Sequence, residues 1–204
     1  MAELAACKAE YFPQLLTFGA EGLQQGCRLV EDREFGKSSL LRAAGTLVDF
    51  LVEYRRHTNI GTAVAANQIG IEQSLVAIAP PGDSFEAEAV LVACNLRLAD
   101  TRGSHISAES CMSSKTEMVA VVRAHEIIAP YQTLDGQPAA FEEIGRAADR
   151  IQHEFAHTLG ITCLQEAIPG SLRLLALDGD PLTQMTQVAE EYDRLYTPQL
   201  ITPS

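Results

Sequence analysis

The chain has 204 residues, of which 47% are hydrophobic and 21% charged, and this composition excludes an intrinsically disordered, collagen-like or coiled-coil protein. The formal net charge of −12 argues against a nucleic-acid-binding surface or an anionic-membrane anchor, and no apolar run approaches the roughly 20 residues of a membrane-spanning helix. Because the first residues also lack the basic start and apolar centre of a signal peptide, we expect a single domain over residues 1–204, located in the cytoplasm.

In the first half of the chain, the sequence predicts one long helix and two buried strands. Residues 1–37 are expected to form loops with short helices or strands. Ser38 and Ser39 can cap a helix that runs to about His57. Apolar residues recur along it at helical spacing: Leu40, Leu41, Ala44, Leu47, Val48, Leu51 and Val52. Residues 74–79 and 89–94 are predicted to be buried strands, and a turn beginning at residues 80–83 starts the link between them.

In the second half, strands and helices follow each other without a regular β-α-β rhythm. Residues 117–122 and 126–134 predict a pair of strands followed by a turn at Asp135 and Gly136. A helix is expected from about Phe141 to Leu159, and a last helix over residues 181–196. This order favours an α+β fold with a mostly antiparallel sheet.

The most informative motif is His153-Glu154-Phe-Ala-His157 in the first of these two helices. The two histidines lie one turn apart on one face, so both rings can reach one metal ion, and Glu154 can exchange protons with a metal-bound water. Arg146, Asp149 and Arg150 fall on the same face. A separate stripe is expected to face the core: Ile144, Ala148, Ile151, Phe155 and Leu159. The helix is therefore predicted to form one wall of a cleft.

Two histidines leave the usual three-ligand set of a catalytic metal incomplete. Downstream, as in zinc proteases, Glu166 is the nearest carboxylate, but the residues after His157 do not match the extended pattern of those enzymes. Upstream, Cys111 lies in a polar segment and offers a thiolate. The five cysteines contain no C-x-x-C pair and do not suggest a disulfide framework. A chance pair of surface histidines is the remaining alternative.

Three segments together resemble the motifs of peptide deformylases. That family has a loop G-x-G-x-A-A-x-Q, a segment E-G-C-x-S and a helical H-E-x-x-H. In the same order, residues 61–68 are G-T-A-V-A-A-N-Q, residues 109–113 are E-S-C-M-S and residues 153–157 are H-E-F-A-H. The resemblance spans about residues 15–168. It implies a deformylase-like α+β fold, with mostly antiparallel sheets around a central metal-binding helix, and hydrolysis of an N-formyl amide to formate and a free amine.

The resemblance also implies roles for single residues. The expected ligands of one divalent ion, Fe²⁺ before Zn²⁺ or Ni²⁺, are Cys111, His153 and His157. Glu154 resembles the general acid/base of the family, and Gln68 and the backbone N–H of Met112 resemble the donors to the formyl oxygen. Glu109 and Arg123 resemble a structural ion pair that supports the Cys111 turn, although Arg123 could equally be a solvated charge at a strand end.

The chain departs from the family pattern at three motif positions. Ala63 replaces the second glycine of the loop, Ser110 replaces the glycine of the second segment, and Ala156 replaces an aspartate. The Ala63 Cβ could tighten the cleft or require different backbone angles. None of the chemical positions is lost, so the sequence favours an active enzyme over an inactive relative.

The expected substrate side of the site contains further unusual residues. The substrate-binding candidates are Gly61, Thr62, Ala63, Glu109, Ser110, Arg146, Asp149 and Arg150. Family members carry mostly apolar residues at the last three positions, where the methionine side chain binds, and a thioether cannot pair with a buried guanidinium. The sequence therefore leaves open a formyl-Met peptide, a polar or acidic N-formyl substrate, or a noncatalytic metal-containing binding protein. Alternatively, Arg146 and Arg150 turn to solvent or pair with Asp149. No nucleic-acid or membrane partner is expected, and the oligomeric state is open.

Overall fold

The computed structural model describes residues 10–82, 86–114, 116–174 and 181–200, with side chains over 183–195 in the last of these ranges. The helices are α1 Glu21–Gln24, α2 Ser38–Thr58, α3 Arg146–Thr158 and α4 Pro181–Leu200, and three 3-10 turns cover Asp32–Glu34, Ala66–Ile69 and Ala87–Ala89. The strands are β1 Ala63–Ala65, β2 Leu75–Ile78, β3 Leu91–Cys94, β4 Asp100–Arg102, β5 His105–Ser110, β6 Glu117–Arg123, β7 Glu126–Gln132, β8 Pro138–Ile144 and β9 Arg173–Leu174. Among these ranges, we find no helix with both the length and the apolarity needed to cross a membrane.

The strands form two antiparallel sheets. The larger sheet has the order β1-β2-β3-β7-β4, with β8 paired to β7, and the smaller sheet has the order β5-β6-β9. Every pairing between these strands is antiparallel. The predicted α+β class with mostly antiparallel sheets is confirmed.

The strands β1 and β2 are buried on both faces. Val64, Leu75 and Ala77 pack with the apolar face of α2, whereas Ala65 and Val76 pack with residues of α3. The two helices therefore cover opposite faces of this part of the sheet, and α3 is held in the interior of the molecule. The smaller sheet packs its apolar side chains against α4.

Residues 117–122 and 126–134 do contain strands, but the prediction that they pair with each other is wrong. β6 pairs with β5, and β7 pairs with β8. At the corner between them, Gln152 of α3 accepts a hydrogen bond from the Ala124 N–H and donates one to the Ala124 carbonyl, both at 2.9 Å. The Gln152 side chain thus makes the hydrogen bonds to Ala124 that a paired strand would make in a hairpin. The chain passes here from one sheet to the other.

The helix that carries the two histidines begins at Arg146, not near Phe141 as predicted. Residues 138–144 form β8 instead, which pairs with β7 along its whole length, and Gly145 separates strand from helix with a φ of 60°. Two residues of the predicted apolar stripe lie outside the helix and are exposed: Ile144 in β8 at 61%, and Leu159 just after the helix end at 53%. Ala148 and Ile151 face the core as expected.

The helix α2 matches its predicted length but not its predicted cap or its full apolar face. Lys37 is the N-cap residue, without a side-chain cap, and Ser38 is already helical. Leu41 is 47% exposed. The buried face turns further around the helix than expected and includes Phe50 and Tyr54, which stack on each other with ring centroids 5.8 Å apart.

Candidate metal centre

Two separate parts of the fold bring the three predicted metal ligands together. Cys111 directly follows β5, while His153 and His157 lie one turn apart on α3. The Cys111 Sγ is 3.1 Å from the His157 Nε2, and that nitrogen is 3.2 Å from the His153 Nε2. All three donor atoms lie within 4.8 Å of one another. A thiolate with two imidazoles is a donor set that suits zinc, iron or nickel.

The donors are buried, and their charges interact. Burial opposes ionisation of Cys111, but His157 and His153 together lower the pKa of its thiol well below the ordinary value. Burial likewise opposes protonation of His153, but Glu109 and Cys111 raise its pKa well above the ordinary value. The two opposite shifts favour negative charge on the sulfur and positive charge beside it, which is the charge pattern that a bound divalent cation would satisfy.

Glu154 lies beside the donors but makes no hydrogen bond with its Oε2, although the residue is only 5% exposed. Burial raises the pKa of this carboxyl, and the neighbouring histidines only partly offset the effect. A buried carboxyl with a raised pKa and an unpaired oxygen has the properties required of a proton carrier.

His153 is bonded to the first of a series of charged side chains, each of which contacts the next. Its Nδ1 lies 2.8 Å from the Glu109 Oε2. Arg123 donates two hydrogen bonds to Glu109 at 2.7 and 2.8 Å, and its third nitrogen lies 2.8 Å from Glu166. The predicted ion pair between Glu109 and Arg123 is thus confirmed, and Arg123 is buried, not solvated. Glu166, the nearest carboxylate downstream of His157, is paired with Arg123.

Gln68 points its amide nitrogen at the donor set. Its Oε1 accepts a hydrogen bond from the Ala65 N–H at 2.9 Å, so the Nε2 is directed to the Cys111 Sγ at 3.4 Å and the Ser113 Oγ at 3.1 Å. Met112 is buried in the same turn, and a Cβ at Gly61 would lie 2.5 Å from its side-chain Cε. The two loops that carry Gln68 and Met112 are therefore in contact beside Cys111.

The replaced motif residues fit the structure without backbone strain. Ala63 lies buried in β1 and pairs with Ile78. Its φ is not positive, since the described non-glycine residues with positive φ are Asn59 and Asn95. Thr62 and Ser110 are exposed, and Ala156 is buried in α3.

The three polar residues one and two turns before His153 go to different surroundings. Asp149 is 7% exposed, accepts a hydrogen bond from the Ser107 Oγ at 2.8 Å and lies 3.2 Å from the His105 Nε2. Arg150 is half-buried and donates to the Ala79 carbonyl at 3.1 Å. Arg146 is exposed and donates to Thr186 of α4. The structure thus brings Asp149 and Arg150 inward, and Arg146 reaches a different element.

Several site residues were not predicted from the sequence. Ser113 and Asn67 belong to the recognised motifs, and their proximity to Cys111 and Gln68 was a signal that could have identified them. Ser107 contacts a site residue only through the fold, and no local pattern marks it.

Comparisons with known proteins give matches over much of the chain. The family profile described as polypeptide deformylase matches residues 13–171. The peptide deformylase of Halothermothrix orenii is 24% identical over 123 residues, which are 60% of this chain and 77% of that protein. A peptide deformylase from Legionella pneumophila superposes with a TM-score of 0.67 at 23% identity, over 93% of this chain and 98% of that one. A class I type b peptide deformylase from Acinetobacter baumannii, bound to Met-Ala-Ser, superposes with a TM-score of 0.63 at 24% identity, over 74% of this chain and 96% of that one.

Proposed function

The chain belongs to the polypeptide deformylase family, whose members are hydrolases that act on N-formyl amides, and on this premise we propose that it removes the formyl group from N-formyl peptides with the help of one divalent metal ion. The observation that supports this most strongly is the convergence of Cys111, His153 and His157 within 4.8 Å. These three residues would hold the metal, and Fe²⁺ is the ion we expect. When bound, a metal at such a site supplies a Lewis acid and lowers the pKa of a coordinated water.

Glu154 is the proposed proton carrier. Water adds its oxygen to the formyl carbon, the carbon–nitrogen bond breaks, and formate and a free amine are released. Glu154 takes the proton of the attacking water and delivers it to the leaving nitrogen, a role supported by its buried, unpaired oxygen.

Gln68 and the backbone N–H of Met112 are the proposed donors to the formyl oxygen. The orientation of Gln68 supports this, because its amide oxygen is held by the Ala65 N–H and its nitrogen faces Cys111. Donors fixed before the reaction stabilise the negative charge that develops on the oxygen without having to reorganise.

The decisive experiment measures formate release from formyl-Met-Ala-Ser by protein loaded anaerobically with Fe²⁺. We expect Glu154→Gln to lose about 10²- to 10⁴-fold in kcat while it keeps its metal. Cys111→Ala should lose the metal itself, whereas Cys94→Ala, which changes a buried cysteine of β3, should lose neither. No formate from the metal-loaded chain would refute the proposed activity and would favour a noncatalytic metal-containing protein.

A second candidate concerns the substrate side chain. Arg150 is half-buried one turn before His153, and its Nε has no hydrogen-bond partner. The guanidinium could pair with a carboxylate, so the substrate in this candidate is an N-formyl compound with a polar or acidic side chain. Asp149 does not neutralise it through a hydrogen bond, since Ser107 and His105 contact that carboxylate.

Substrate pairs separate the two candidates. If Arg150 contacts the side chain, kcat/KM for formyl-Glu-Ala-Ser should exceed that for formyl-Met-Ala-Ser, and Arg150→Met should reverse the order. Arg146→Met is the control, because Arg146 reaches α4. A clear preference of the unmodified chain for formyl-Met would exclude the acidic substrate.

A further inference from the structure

We propose that Asn67 is a positioning residue of the hydrolytic site, which fixes Gln68 relative to His157. The inference rests on the proposed function for its kinetic consequence, but its geometric basis is independent of the substrate. Asn67 precedes Gln68 in the 3-10 turn Ala66–Ile69. Its side chain reaches the backbone of α3.

The amide of Asn67 acts as a hydrogen-bond donor to backbone carbonyls of two other segments. Its Nδ2 donates to the His157 carbonyl at 2.6 Å, and longer contacts reach the carbonyls of Leu23 at 3.3 Å and Gln25 at 3.4 Å. The residue is 4% exposed, and its Oδ1 makes no hydrogen bond. The Asn67 side chain therefore makes hydrogen bonds only through its nitrogen. The shortest of these bonds reaches the backbone carbonyl of His157, a proposed metal ligand.

The His157 carbonyl belongs to the last turn of α3, where carbonyls have no partner one turn further along the helix. The Gly160 N–H supplies one donor at 2.9 Å, and Asn67 supplies the second. The next carbonyl, that of Thr158, accepts from the Cys27 N–H at 2.7 Å. The end of the helix is thus held from outside by Asn67 and by the segment that contains α1.

This arrangement links the two sides of the site through two consecutive residues. Gln68 contacts Cys111 through its side chain, and Asn67 contacts the backbone of His157. Because both belong to one short turn, the spacing between the proposed oxyanion donor and the second imidazole depends on the Asn67 bond. An error of about 1 Å in such a spacing can cost on the order of 10²-fold in rate.

A purely structural asparagine would also be buried and bonded to backbone, so the test needs a matched control. Asn95 provides one. Its Nδ2 donates to the Val30 carbonyl at 2.9 Å and to the Gln132 Oε1 at 2.8 Å, and its Oδ1 accepts from the Val30 N–H. Asn95 links the segment around Val30 to the larger sheet, as Asn67 links the segment around Leu23 to α3. In contrast to Asn67, Asn95 contacts neither the donor set nor Gln68.

The experiment compares Asn67→Asp with Asn95→Asp, both nearly isosteric and both without the Nδ2 donor. With saturating metal and formyl-Met-Ala-Ser, we expect Asn67→Asp to lose on the order of 10²-fold in kcat, with KM within about twofold. The visible absorption of the Co²⁺-substituted protein should also shift, because His157 moves relative to Cys111. Asn95→Asp should lower the unfolding midpoint but leave kcat and the cobalt spectrum unchanged. If Asn67→Asp does not fold, Asn67→Ala removes the donor without adding a charge.

Two results would overturn the proposal: an unchanged kcat and cobalt spectrum in a folded, metal-loaded Asn67 variant, or equal losses of kcat in the Asn67 and Asn95 variants. Failure of the proposed function has a different signature, because the unmodified chain would then release no formate. In that case the cobalt spectra of the two variants still decide whether Asn67 positions His157.

Discussion

The buried pair of Arg123 and Glu109 allows a quantitative prediction about stability. Arg123 is 5% exposed and Glu109 is 6% exposed, and two hydrogen bonds join them. Replacing Arg123 with Met keeps most of the side-chain volume but leaves the Glu109 carboxylate buried, with His153 as its remaining charged neighbour. Loss of one partner from a buried pair costs about 3 to 5 kcal/mol, more than the pair itself contributes.

The pH dependence of this loss follows from the pKa of Glu109. Burial alone would raise that pKa, but the hydrogen bonds from Arg123 and the charge of His153 hold it to about 2. A carboxyl group whose pKa is lower in the folded state stabilises the fold at pH values above its unfolded-state pKa. This stabilisation is lost as the pH falls toward the folded-state pKa. The difference between the unmodified chain and Arg123→Met should therefore be largest near pH 7 and should shrink between about pH 4.5 and pH 2.

Urea unfolding at several pH values, on metal-free protein, measures this difference. A thermal scan measures it as well. For a chain of this size, a loss of 3 to 5 kcal/mol in the free energy of unfolding lowers the thermal midpoint by roughly 6 to 20 °C. Arg28→Met is the matched control, because Arg28 makes the same two-bond contact with Glu34, at 2.7 Å for each bond, on the surface. Solvent screens that pair, so we expect no measurable change. Equal effects of the two variants at pH 7 would refute the argument that burial makes the Arg123 pair costly to break.

Two further predictions test the end of α3 and the thiols. Gly160 has a φ of +77°, and a Cβ there would lie 2.4 Å from the Gln24 carbonyl oxygen. The left-handed conformation alone costs an alanine roughly 1 to 2 kcal/mol. Because the clash adds to this strain, Gly160→Ala should lower the free energy of unfolding by well over that amount. Gly170→Ala, at a φ of +80° with no atom within 4 Å, should show only that strain in the same urea assay. Iodoacetamide should modify Cys111 of the metal-free protein before Cys94, whose thiol pKa burial raises to about 12. Bound metal should protect Cys111, and peptide mapping that shows equal labelling with and without metal would contradict its role as a ligand.

The sequence was a good guide where a local pattern determines the structure. The spacing of His153 and His157 is a helical property, and the helix formed around them as predicted. The predicted start of that helix is too early, because residues 141–144 also fit a helical pattern. Pairing along the whole of β7 outweighs that local preference, and Gly145 provides the break.

Contacts between distant segments could not be predicted in the same way. The sequence between β6 and β7 resembles a hairpin, and only the position of Gln152 on α3 explains why the chain leaves the sheet at Ala124. The ion pair of Glu109 and Arg123 was suggested by family resemblance, but its burial and its extension to Glu166 depend on how the smaller sheet packs. The position of Asn67 next to Gln68 marks it as a candidate, but its hydrogen bonds could not be predicted, because its partners, at residues 23, 25 and 157, are far from it in sequence.

The loss of the family aspartate at Ala156 is understandable from the way α3 is held. Side chains fix the helix to other segments through backbone groups: Gln152, in the middle of the helix, binds Ala124, and Asn67 binds the His157 carbonyl in the last turn. Glu109 orients the His153 ring from the side. Glu109 positions the His153 ring and Asn67 positions the backbone of His157, and neither contact involves residue 156, so an alanine there leaves the donor set assembled. The donor atoms therefore keep their spacing on a helix that also carries the polar residues Arg146, Asp149 and Arg150.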